Sequence, residues 1–211
     1  MAFEFACFLS FRHVGQKSSE KFITEFKERL EGELSNFIPL NKLVYLDFER
    51  NKVANDFNVN IARALCKSLC MIMIYNPVYF DETHTYCARE FKAMEELEGI
   101  RLKQLGNEFS HLKHIVPIIL KGEKQLPGYI SNSRQCIKEF LDAPDDISFS
   151  KKIYHQAIIK IGDSVNDIYQ AYRKKGINVW ENCNDFKLPD EGNTKIWMKK
   201  NNLSYNFSYP R

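Results

Sequence analysis

The chain predicts an α/β domain built on a parallel sheet with helices on both faces. Three observations carry that prediction. Four short runs are apolar at nearly every position, stretches of helical period separate them, and polar links sit at the joins. The crossovers between such strands are right-handed. At 211 residues the chain is long enough for one domain with a sizeable core, plus an appendage.

The first run, "AFEFACFLSF", is the pattern of a strand buried on both faces. In "SSEKFITEFKERLEGELSNF", Phe22, Phe26, Leu30 and Leu34 recur every four residues, so a helix follows, with Ser19 as its cap and Glu20 in its first turn. "KLVYLDF" reads as a second buried strand that delivers Asp47 at its end. After the polar "ERNKVANDFN", the stretch "FNVNIARALCKS" places Phe57, Ile61 and Leu65 on one side of a helix. "LCMIMIYNP" is the third strand, stopped by Asn76-Pro77.

A helix over "TYCAREFKAMEELE" comes next, then a fourth strand, "HIVPIIL". Pro117 inside that strand favours an edge position or an interrupted ladder. "KGEKQLPGYISNSRQCIKEF" reads mostly as loop, with room for one helical turn or a short strand. "SFSKKIYHQAIIKIGDSVNDIYQAYRKK" is a long amphipathic helix with Ile153, Ala157, Ile161, Val165, Ile168 and Tyr172 inward, ended by Gly176. Past Gly176 the periodicity stops. The expected division is therefore a domain over 1–175 and an extension over 176–211, packed on the domain or on a partner.

Composition narrows the classes. Apolar residues make up 44% and charged residues 27%, as in ordinary globular proteins. No apolar run approaches the roughly 18 residues that span a bilayer, and the N-terminus lacks the basic region of a signal peptide. No membrane partner is expected. The net charge of +3 is concentrated in residues 173–211, which hold eight Lys/Arg against four Asp/Glu. The body is then about neutral and shows no basic stripe, so no nucleic-acid partner is expected. Six scattered cysteines without a C-x-x-C pair read as small buried hydrophobes in a reducing, cytoplasmic setting, not as disulfides or zinc ligands. The five histidines have no metal spacing, and no metal is expected.

One residue breaks the pattern. At about 100° per residue, Cys87, Phe91, Met94 and Leu97 share an apolar arc, with Arg89, Lys92 and Glu96 opposite. Glu90 falls inside the arc, between Met94 and Leu97. A carboxylate there pairs with a buried Arg, caps a backbone end, or serves chemistry. Ligands of open parallel sheets bind outside the carboxyl ends of the strands. There the first strand brings Ser10, Phe11 and Arg12, the second Asp47 and the third Asn76, while Tyr86 lies one turn before Glu90. Such a site suits a flat cationic ring beside a sugar. Plain readings stand next to this one: Arg12 pairing with Asp47, Tyr86 covering a sheet edge, Ser10 and Asp47 serving their loops, Asn76 turning the chain. No Gly-rich phosphate loop, G-x-S-x-G elbow or His-x-x-x-His motif is present, and Cys87 lies on the apolar stripe.

These residues resemble a known family. "FACFLSFRH" is similar to the first motif of Toll/interleukin receptor (TIR) domains, a strand ending F-L-S-F-R. "VYLDFERNKVANDFNVNIARALCKS" resembles their second region, "MIMIYNPVYFDETHTYCAREF" the segment finishing W-C-x-x-E-[LF], and "HIVPIIL" the later I-x-P-[IV] strand. The match runs in order over about residues 3–172. It implies a flavodoxin-like fold with a five-stranded parallel sheet. It also implies that Glu90 is the carboxylate required for cleaving the nicotinamide–ribose bond of NAD, the substrate and not a bound cofactor. Ser10, Phe11, Arg12, Asp47, Asn76, Tyr79 and Tyr86 would line that substrate. Tyr86 stands where Trp is usual, and the second loop lacks the glycine many members have.

The resemblance further implies self-association and a stand-alone bacterial defence role. The product would be ADP-ribose or a cyclic ADP-ribose signal sensed by a separate effector. Two other readings differ in class. A non-catalytic TIR module would signal by TIR–TIR assembly alone, and a nucleoside transferase of flavodoxin-like fold would turn over nucleosides without NAD.

Overall fold

In the computed structural model, described over residues 3–12, 17–46, 54–143, 149–177 and 183–203, four strands form one sheet. They are β1 (Phe5–Phe11), β2 (Lys42–Leu46), β3 (Ser68–Tyr75) and β4 (Ile115–Ile119). All pairings are parallel and the order is β2-β1-β3-β4. The α/β class with a parallel sheet is thus present, and the order is compatible with a flavodoxin-like fold. Every residue of β1 and β3 is buried, as their apolar runs require. β2 corrects the expectation of a second buried strand. It is an edge strand in which Val44 alone is buried, because it has a neighbour on one side.

The expected fifth strand is not found among the described residues; beside β4 there is a single isolated parallel bridge between Ile118 and Ile137. Ile137 N–H donates to Pro117 O at 2.8 Å, and Ile119 N–H donates to Ile137 O at 2.8 Å. Pro117 and Ile119 therefore turn their backbone groups outward, away from β3. The N–H that Pro117 lacks belongs to that outer edge, so the proline costs no bond to the central ladder.

Helices α1 (Lys17–Leu34) and α5 (Lys152–Lys175) cover one face of the sheet; α2 (Ala54–Cys66) and α3 (Tyr86–Leu105) cover the other. A four-residue helix, α4 (Gly128–Ser131), follows β4. Phe22, Phe26, Leu30 and Leu34 are all buried. α1 begins at Lys17, so Ser19 lies inside the helix and not at its cap. On α5 the predicted stripe holds except at Ile153, which is half exposed. A four-residue step advances 400°, so the stripe drifts about 40° each time. Extended back to the first turn it passes Ile153, and Tyr154 packs inward instead, stacked on Phe140 at 5.5 Å. Gly176 ends α5 in the left-handed conformation (φ 61°), its N–H bonded to Arg173 O.

The chain past α5 lies against the domain. α6 (Glu191–Lys200) starts at Asp190, whose side chain accepts from Asn193 N–H at 2.8 Å. Met198 and Leu203 are buried, and Trp197 packs near Phe91 and Tyr129. Cys66, the last residue of α2, forms a disulfide with Cys183. This overturns the reading of all six cysteines as unpaired. The two cysteines lie 117 positions apart, and nothing in their spacing announces a pair. Among the described residues no helix is long and apolar enough to cross a membrane.

Candidate functional site

β1 and β3 are adjacent in the sheet though not consecutive in the chain, and their connections leave in opposite directions: toward β2 on one side and β4 on the other. The crevice at their carboxyl ends is the topological switch point, the preferred ligand position in this architecture. Ser10 and Phe11 end β1 opposite Met73 and Ile74. Asn76 follows β3, and Glu90 sits in the second turn of α3 above the same edge.

Glu90 is buried, 2% exposed, as its place on the apolar arc predicts. Ser10 Oγ–H donates to Glu90 Oε2 at 2.6 Å. The Tyr79 hydroxyl lies 2.6 Å from the same Ser10 oxygen. Both partners are fully enclosed: Ser10 is 1% exposed and Tyr79 is inaccessible. The turn after β3 brings Tyr79 inward, closed by Tyr79 N–H to Asn76 O, and Phe80 meets its ring edge-on at 5.0 Å. Ser10, Tyr79 and Glu90 are therefore brought together from three elements.

The other predicted residues are arranged differently. Phe11 belongs with Leu9 to the core beneath α1 and α5, on the sheet face opposite Ser10 and Glu90. Strand alternation puts it there, so it is a core residue and does not share Glu90's volume. Arg12 meets Asp81 at 3.9 Å; Asp47, its partner in the plain reading, lies outside the described residues. Burial pushes the Asp81 carboxyl up, but bonds from the Thr83 amide and hydroxyl and from His84 outweigh it and hold the group below its ordinary range. Tyr86 is 36% exposed at the start of α3, with the Arg89 guanidinium 5.5 Å from its ring centre. Arg89 Nε in turn donates to Pro189 O at 2.6 Å, so the C-terminal segment reaches this rim. Asn76 Oδ1 is enclosed without a hydrogen-bond partner among the described residues.

The turn carrying Asn76 is seated on Gly122. Gly122 has φ +74°, and a Cβ there would lie 2.3 Å from Pro77 Cγ. Gly122→Ala is expected to cost about 1–3 kcal/mol through left-handed strain and overlap with the proline ring. A urea titration reads that loss, and an unchanged midpoint would contradict the packing.

A second buried carboxylate on α3 was missed. Glu98 lies two turns beyond Glu90, on the same arc by simple helical spacing. Arg134 grips it with both terminal nitrogens, at 3.0 and 3.1 Å, and the His114 amide also donates to it. Arg134 further reaches Glu95, which accepts from Tyr129 O–H at 2.8 Å. Here the structural reason for a buried acid applies in full. At Glu90 the Ser10 hydroxyl, at the carboxyl end of a central strand, donates to Oε2.

Three open clefts of 430, 450 and 540 Å³ lie elsewhere: between Ile137 and α5, between α3 and Arg134, and along the β2 edge. Each has charged side chains in its lining, Lys160 and Asp163 in the first, Glu95 and Arg134 in the second, Lys27 and Glu31 in the third, and none of the three contains the switch-point residues. The buried carboxylate, not cleft size, marks the candidate site. No protein-family model matches the chain, and no curated protein matches it.

Proposed function

We propose that the chain is a TIR-type NAD-cleaving enzyme with Glu90 as its catalytic carboxylate. The observation that carries this reading is an enclosed acid held by Ser10 at the switch point of a parallel sheet. The chemistry asks for one carboxylate. Most glycosidases need two because an oxygen leaving group requires an acid. In NAD the pyridine nitrogen already carries positive charge. When the bond from ribose C1′ to that nitrogen breaks, the electron pair goes to nitrogen and neutral nicotinamide departs without a proton. The remaining requirement is to stabilise the oxocarbenium-like charge on the ribose, which a carboxylate does best where water is scarce. C1′ is then captured by water, which loses a proton to give ADP-ribose, or by a nucleophile of the same molecule to give a cyclic product. Self-association, a separate effector for a cyclic product and a role against phage belong to the same proposal.

The test incubates concentrated protein with NAD and separates nicotinamide, ADP-ribose and cyclic products, beside saturation-transfer NMR for NAD binding. Glu90→Gln and Glu90→Ala are expected to lower nicotinamide release at least about 100-fold. Release that persists unchanged in both variants, or a parent protein that neither binds nor cleaves NAD, overturns the reading.

A further inference from the structure

We propose that Ser10 and Tyr79 are positioning residues that act through Glu90, a two-hydroxyl relay that fixes the carboxylate, and are not ligand contacts. The inference rests on the assignment of Glu90 as the reacting carboxylate, but the relay itself is a matter of geometry.

A serine hydroxyl has one hydrogen and two lone pairs. Both contacts of Ser10 Oγ are 2.6 Å, the short range of an O–H bond to an ionised oxygen or within a polarised chain. With Glu90 ionised, the single Ser10 hydrogen points at Oε2, and Tyr79 must be the donor to Ser10. The chain has one direction: Tyr79 to Ser10 to Glu90. Its members come from the turn after β3, from β1 and from α3. The orientation of the carboxylate is thus tied to two separate strand ends, whereas a lone side chain on a helix would swing about its χ angles.

Glu90 is as enclosed as its two partners, so it is the placement of the hydroxyl hydrogens that separates positioning from contact. Tyr79 is completely enclosed, packed against Phe80 at 5.0 Å and near Tyr75 at 6.5 Å, so its hydroxyl faces the protein. Ser10 has its hydroxyl hydrogen committed to Glu90. A further acceptor on a ligand could gain that hydrogen only by taking it from the carboxylate. Preorganised placement of a reacting group within fractions of an ångström is worth one to two orders of magnitude in rate.

The experiment uses the full chain and NAD. Ser10→Ala is expected to lower kcat about 10- to 100-fold, with KM changed less than about threefold. Tyr79→Phe, which keeps the ring, is expected to lower kcat about 3- to 10-fold, and Ser10→Thr, which keeps the hydroxyl, to retain most of the rate. Because the relay works only through the acid, adding Ser10→Ala to Glu90→Gln should cost little more than Glu90→Gln alone. A raised KM with unchanged kcat, or full additivity with Glu90→Gln, would make Ser10 a ligand contact and overturn the proposal. A second readout needs no turnover. The infrared carboxylate band of Glu90, isolated as parent minus Glu90→Gln in protein with ¹³C-labelled glutamate, should shift on loss of the Ser10 hydroxyl and, by less, of the Tyr79 hydroxyl. An unmoved band in both variants, with each still folded by circular dichroism, shows that no relay exists. A shifted band in a protein that cleaves no NAD retires the enzyme reading and leaves the relay standing as architecture.

Discussion

Replacing Arg101 with alanine is expected to destabilise the fold by about 3–5 kcal/mol, the range seen when one side of a buried charged arrangement is removed. Arg101 is completely enclosed. Its Nη2 donates to Cys66 O at 2.7 Å, and its Nη1 donates to Ser68 O at 3.0 Å. Its guanidinium carbon lies 5.2 Å from the Phe3 ring centre. Cys66 is the last residue of α2, so the cation faces the negative end of that helix and satisfies a carbonyl that has no partner within the helix. Alanine would leave these acceptors unpaired and open a cavity, two costs that add. Arg101→Lys keeps the charge but has no planar fork to serve two carbonyls. It should cost less, about 1–3 kcal/mol. Urea denaturation at neutral pH measures both. A loss below 1 kcal/mol for the alanine variant would mean that these bonds contribute little beyond balancing the burial of the charge.

Stability should also fall as pH is lowered through the histidine range, and His114 should be the main cause. Burial, and then the charges of Arg101 and Arg134, hold its pKa down from 6.5 to about 3. Its ring is neutral in the fold, with Nε2 3.1 Å from the Tyr172 hydroxyl. The unfolded chain takes up the proton below about 6.5, whereas the folded chain does not until about 3. The unfolded state therefore gains protons first, and stability is lost as pH falls through that window. The slope approaches about 1.4 kcal/mol per pH unit, for a total on the order of 5 kcal/mol. Glu95 acts in the opposite sense, because burial raises its pKa and the fold then holds its proton at higher pH. The carboxyls of Asp81 and Glu139 are held low and add their own losses only near their ordinary range. Urea midpoints at pH 7.5, 6.5, 5.5 and 4.5 read the His114 window, and His114→Gln should flatten it. An equal slope in the glutamine variant would assign the acid sensitivity elsewhere.

The main frame was legible because it follows from periodicity. Apolar runs placed β1 and β3, four-residue repeats placed α1 and α5, and Gly176 stopped α5 where a left-handed residue is needed. Glu90 stood out because a single charge on an apolar arc is visible in a helical projection, and it is buried. What local pattern cannot carry is the side on which a strand end faces. Ser10 and Phe11 are adjacent in "FLSFR", yet they belong to opposite faces, and alternation separates them. Long-range partners were equally hidden. Arg134 with Glu98, Arg101 with the end of α2, and Arg89 with Pro189 join residues 35 to 100 positions apart. Glu98 itself could have been found, since the arithmetic that singled out Glu90 places it on the same arc.

The Cys66–Cys183 bond closes a covalent ring that contains β3, α3, β4 and α5. One protease cut inside the ring therefore leaves two fragments that migrate together until a thiol is added. A pulling force on the two termini acts through the sulfur bridge. The chain between the two cysteines, which lie 117 positions apart, is roughly 400 Å of contour at about 3.5 Å per residue and carries none of the load.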